Sequence, residues 1–176
     1  MPIPKKSATI VVYESPDGHV IRECLEACNY RTDVIWIGSR EEFLSVLNNP
    51  RTTNDIVVID SHGDPEKGFV TDMEKPVGFD EISALKGLQG KNVVGAACFM
   101  GVQGFTEAFK KAGVGSYVGA SDNISTPSII LFITTLFYSF TRGSFYPELG
   151  DVSWKKAVEE AVQKFKEDSW KPYFTT

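Results

Sequence analysis

Two short apolar runs in this chain each stop on a reactive side chain: Ile56-Val57-Val58-Ile59-Asp60-Ser61-His62-Gly63 and Val93-Val94-Gly95-Ala96-Ala97-Cys98. β-Branched residues dominate both, and both are too short for a helix, so each is a buried strand. A glycine follows each, Gly63 in one case and Gly101 in the other. As neighbouring parallel strands they would release His62 and Cys98 side by side at their carboxyl ends. That is the crevice where open α/β sheets place their ligands. A histidine and a cysteine there are the minimum equipment for thiol-based acyl transfer.

Strand and helix signals alternate along the rest of the chain. Thr9 to Tyr13 is a strand, turned by Ser15-Pro16-Asp17-Gly18, and Val20 to Asn29 has helical spacing. Val34 to Ile37 is a second strand. Ser39 with Glu42 three residues on forms a capping-box pattern, opening a helix that stops at Asn48-Asn49-Pro50. After the strand at Asp55 to Asp60, the stretch from Asp64 to Phe79 is irregular, with a short hairpin expected near Phe69-Val70. A helix over Asp80 to Leu88 precedes the strand Asn92 to Ala97. Thr106 to Ala112 is helical, Tyr117 to Ala120 is a fifth strand, and helices over Ser128 to Thr141 and Val152 to Asp168 follow. The alternation predicts an α/β class: a three-layer α/β/α sandwich with a mostly parallel sheet.

At 176 residues the chain is read as a single domain, 1–176. The net charge of -5, from 18 basic and 23 acidic residues without a basic run, argues against nucleic acid or an anionic membrane as partner. Ile129 to Phe140 is the most apolar segment, shorter than the about 20 residues that a bilayer span needs, and is expected to pack on the sheet. Three cysteines, an odd number, and no apolar segment of secretory type after Met1-Pro2-Ile3-Pro4-Lys5-Lys6 fit free thiols in a reducing cytoplasm. Cys24 and Cys28 lie one helical turn apart but lack a second pair of soft ligands, so neither a metal site nor a cofactor is expected. His19 reads as a surface residue. Trp170-Lys171-Pro172-Tyr173-Phe174 reads as an exposed aromatic segment that docks on a partner or on the domain itself.

The order strand-His-Gly, strand-Ala-Cys, helix, strand resembles the caspase-like clan CD of cysteine peptidases, and within it the bacterial CHAT-type domains. The stretch Glu107 to Ala120 looks like the family's helix, glycine turn and strand after the cysteine. Phe137-Tyr138 is similar to a pair late in its next helix, and Ala157 and Ala161 to small residues of its final helix. The likeness runs from about His62 to Glu167. Ser121-Asp122-Asn123-Ile124 departs from the family, which often carries a tryptophan-centred motif there.

The resemblance implies a cysteine endopeptidase. Cys98 would attack a carbonyl carbon to form a thioester, and His62 would protonate the leaving amine and then activate water. The backbone N–H groups of Gly63 and Cys98 would form the oxyanion hole. Family enzymes select the residue before the scissile bond with a pocket beside the cysteine; Asp122, just past the fifth strand, is placed to pair there with a substrate Arg or Lys, or else to cap the following helix or face water. Partners would be a protein or peptide substrate and a regulator, either a separate protein or a second copy.

A second reading comes from the first half alone. Glu14 after the first strand and Asp60 closing the third resemble a two-component receiver, with Asp60 accepting phosphate and Glu14 helping to hold Mg²⁺. The usual acid pair is halved here, and Ala120-Ser121 stands where a receiver has its lysine. A non-catalytic signalling or binding module, on a receiver-like or degenerate caspase-like fold, is the alternative function.

Overall fold

A computed structural model describes residues 6–72 and 74–175. The reading of residues 1–5 lies outside the described residues. The chain forms β1 (Lys6–Tyr13), α1 (Gly18–Ala27), β2 (Tyr30–Ile37), α2 (Arg40–Asn48), β3 (Ile56–Asp60), β4 (His62–Asp64) and β5 (Gly68–Val70). It continues through α3 (Phe79–Ser83), β6 (Asn92–Ala96), α4 (Gln103–Lys111), β7 (Ser116–Ala120), α5 (Thr126–Phe145), α6 (Trp154–Lys164) and β8 (Trp170–Phe174).

Six strands make one sheet in the order β2-β1-β3-β6-β7-β8. The first five are parallel, and β8 runs antiparallel to β7. Side chains alternate between the faces as the pleat requires. Ile10, Val12, Val58, Val94 and Val118 enter one core with α1, α5 and α6. Val11, Tyr13, Val57, Val93 and Tyr117 enter the other, with α2, α3 and α4. β3 is buried at every position, which is why its run shows no alternation. The three-layer, mostly parallel α/β/α sandwich is the expected one. Its chain reverses between β1 and β3, so the crevice opens above their carboxyl ends.

Several local expectations change. β8 replaces the exposed aromatic tail: Trp170 is buried, stacked on Phe132 with ring centroids 3.6 Å apart, and Tyr173 and Phe174 are half-buried. The helix before it ends at Lys164 rather than Asp168. α3 stops at Ser83, and Leu85 and Leu88 are buried in the turn that follows. α5 is the largest departure, because it runs 20 residues instead of ending at Thr141. By length and composition it could cross a bilayer. In the structure its Ile129, Phe132, Ile133, Leu136 and Phe137 pack on the sheet. Ser39 caps α2 as read, accepting from the Glu42 N–H at 3.2 Å, but the Glu42 carboxylate turns to the Gly38 N–H rather than to the cap.

Candidate active site

His62 leaves the end of β3 and starts the β4–β5 hairpin, with its ring exposed to solvent. Its Nε2 lies 3.0 Å from the Glu14 carbonyl oxygen. A carbonyl only accepts, so Nε2 carries the proton and the neutral ring keeps Nδ1 as its basic nitrogen. Glu14 holds this carbonyl in a left-handed conformation, φ 54°. A non-glycine residue rarely takes that conformation without a compensating contact.

Cys98 is half-buried two residues past β6. Its turn is clamped onto the end of β7. Phe99, also left-handed at φ 59°, donates its N–H to the Asp122 carbonyl at 3.1 Å, and Gly101 donates to the Ala120 carbonyl at 2.6 Å. Met100 is buried against Gly119, where an added Cβ would lie 2.7 Å from the Met100 carbonyl carbon. The Cys98 thiol donates to Asn123 Oδ1 at 3.0 Å and faces the Ile124 carbonyl at 3.5 Å. The Ile124 N–H donates to the sulfur at 3.5 Å.

Gly63 joins the two halves. A Cβ there would come within 2.1 Å of the Cys98 carbonyl oxygen, so only glycine lets the histidine strand approach the cysteine turn this closely. Gly63 faces Phe69 across the hairpin. Phe69 spends its own N–H and C=O on Val77, at 3.1 and 2.9 Å. The Gly63–Phe69 pair is therefore a non-hydrogen-bonded one, and the Gly63 peptide groups point away from β5.

His62 and Cys98 line one cleft of about 280 Å³, together with Asp17 and Asp60. Ile124 and Ile129 supply an apolar wall. Asp60 is 2% exposed and its Oδ2 has no hydrogen-bond partner, nor does the neighbouring Ser61 Oγ. Burial pushes the Asp60 carboxyl up to about 7; the Ser15 hydroxyl pulls it down and Asp17 pushes it further up. Asp17 Oδ2 accepts from the Thr126 hydroxyl at 3.0 Å.

Asp122 lies outside that lining. Its side chain is exposed and its Oδ1 accepts from the Asn123 N–H at 2.7 Å. Asp17 and Asn123 are the site residues that sequence reasoning passed over. The signal for Asp17 was a polar turn directly after β1, at the switch point; Asn123 gave none. Among the described residues no cluster of His, Cys, Asp or Glu could hold a metal. Cys24 and Cys28 are free thiols, and burial pushes Cys28 up to about 11. His19 is exposed and packs against Trp36, ring centroids 4.6 Å apart.

A half-buried cysteine and an exposed histidine, carried past the ends of adjacent parallel strands, thus line one cleft. Solved structures share the fold. The Arg-specific cysteine proteinase gingipain R superposes on 96% of this chain with a TM-score of 0.63 at 13% identity. The complex of the Porphyromonas gingivalis RgpB pro- and mature domains matches with a TM-score of 0.56 at 14% identity. The sheet and its helices are thus a caspase-like fold. This chain spans 46–47% of those chains, under half their length. No protein-family model matches the sequence, and no curated protein does either.

Proposed function

We propose that this protein is a cysteine endopeptidase with Cys98 as nucleophile and His62 as general acid and base. The observation that carries the reading is the shared cleft, which both residues line beside a glycine whose Cβ would strike the Cys98 carbonyl. Cys98 sulfur attacks the scissile carbonyl carbon, its proton passing to His62 Nδ1. The tetrahedral oxyanion takes hydrogen bonds from the N–H groups of Gly63 and Cys98. His62 returns the proton to the leaving amine as the C–N bond breaks, leaving a thioester. It then takes a proton from water, whose oxygen attacks the thioester carbon, and the thiolate leaves protonated. The Glu14 carbonyl holds the ring in the tautomer that this sequence needs.

Two carboxyl groups beside the nucleophile favour a substrate with a cationic side chain. A guanidinium or ammonium would pair with Asp17, which lines the cleft half-buried. Gingipain R is an Arg-specific proteinase on the same fold, which supports the class. Asp122, outside the cleft lining, would meet a residue further along the substrate. A regulator, a separate protein or a second copy, fits a site this open to solvent, and the neighbouring fold has been captured with a pro-domain. The kinship with CHAT-type domains rests on the stretch from Glu107 to Ala120 and the residues that follow it.

Thiol alkylation against pH tests the reading. Cys98 should label faster than Cys24 and Cys28 near neutral pH, and His62→Ala should slow it. Arg- or Lys-containing peptides should be cleaved by the wild type and not by Cys98→Ala. Labelling that ignores His62, with no peptide cleaved, would overturn it. The receiver reading finds less support: Asp60 is closed to a phosphodonor, and Glu14 Oε2 accepts from the Asp72 N–H at 3.2 Å rather than facing Asp60.

A further inference from the structure

The hydrogen bonds of the Cys98 sulfur come from Asn123 and Ile124, on one short loop between β7 and α5. They are of mixed sense. Asn123 Oδ1 and the Ile124 carbonyl can only accept, which suits a thiol; the Ile124 N–H can only donate, which suits a thiolate. Asn123 is the one contact able to change sense, because its amide presents an oxygen on one side and two N–H donors on the other. The loop backbone is pinned around it, the Asn123 N–H on Asp122 Oδ1 and the Asp122 carbonyl on the Phe99 N–H. Its side chain is exposed, and the terminal torsion of an amide is broad, so it can turn over without moving the chain.

We infer that Asn123 is a positioning residue for the Cys98 sulfur, accepting from the thiol at rest and turning over to donate Nδ2–H once the sulfur is ionised. The inference rests on Cys98 being the reacting sulfur. In this role Asn123 and the Ile124 N–H form a two-donor seat for the thiolate. When the thiol ionises, its proton leaves to His62 or solvent, and the hydrogen bond to Asn123 is kept with its direction reversed. The seat also aims the sulfur into the cleft, whose apolar wall begins at Ile124.

Other titratable groups share the cleft with the sulfur: His62 from β4, Asp60 from β3 and Asp17 from the turn before α1; Asp122, outside the lining, is on the same loop as Asn123. They are common to every variant of Asn123, so differences among variants isolate the amide. The experiment is iodoacetamide alkylation of the intact protein across pH, with the Cys98 peptide quantified by mass spectrometry against those of Cys24 and Cys28. The thiolate displaces iodide, so the rate follows the ionised fraction. Asn123→Ala removes the donor and should slow labelling at pH 7 about threefold. Asn123→Asp keeps the shape but only accepts and adds a negative charge, so it should slow labelling about tenfold or more, the factor for one unit of displacement in the profile. The midpoint of the profile should rise in the same order.

Equal effects of Ala and Asp would make Asn123 a mere packing group and overturn the inference. So would faster labelling in Asn123→Ala than in wild type, which would mean that the amide holds the thiol closed. The peptidase reading fails separately, through His62→Ala and the peptide panel.

Discussion

At Asp60 a single buried carboxyl couples stability to pH. Its carboxyl titrates near 7 in the folded chain instead of near 3.8, so the native state holds a proton that the unfolded chain has lost. The sign follows: its contribution to stability is complete below about 4 and is lost as pH rises through 7. Three units correspond to roughly 4 kcal/mol. Asp60→Asn should flatten that slope, so its melting temperature should gain on wild type steadily between pH 4 and 8 in parallel scanning calorimetry. Gly63 makes a sharper demand. Gly63→Ala drives a methyl into the Cys98 carbonyl, and the histidine strand has to back away. Peptide cleavage should drop by on the order of a hundredfold or more, since small misplacements of reacting groups are that costly.

β8 is the element whose placement contributes most beyond the runs that announce themselves. Trp170 lies flat on Phe132, and the Ser121 N–H and hydroxyl both donate to the Ser169 carbonyl, at 3.0 and 2.9 Å. Trp170→Ala should cost about 3–5 kcal/mol in urea denaturation. The strand was hidden in the sequence for two reasons. Pro172 speaks against a strand, and an antiparallel edge is invisible to periodicity because its partner lies far back along the chain. β2 was legible only in its apolar half, since Arg31 and Asp33 face water on the other edge of the sheet. β3 and β6 were plain because burial on both faces leaves nothing but apolar residues. The same contrast governs the site. His62 and Cys98 could be found because each terminates such a strand. Asp17 and Asn123 sit on loops whose convergence is decided by packing, and Asp60 was noticed only as a rival's phosphate acceptor.

At the scale of the whole molecule, charge and topology act together. The chain carries a net charge of -5, and two carboxyl groups line its cleft. An excess of one sign draws oppositely charged ligands from a distance and is screened by salt. On the peptidase reading, kcat/KM for a Lys- or Arg-rich peptide should fall several-fold between about 20 and 300 mM salt, while a neutral thiol reagent should alkylate Cys98 at a constant rate. The sheet order carries a different kind of consequence. Cys98 and His62 are made early, yet the loop that grips the sulfur is tied through Ser121 to Ser169, and β7 is flanked by residues 170–174. A growing chain can thus expose both reactive groups long before it can hold them in register. On the peptidase reading, the site is complete only once residues 169–174 have docked against β7 and the turn after it.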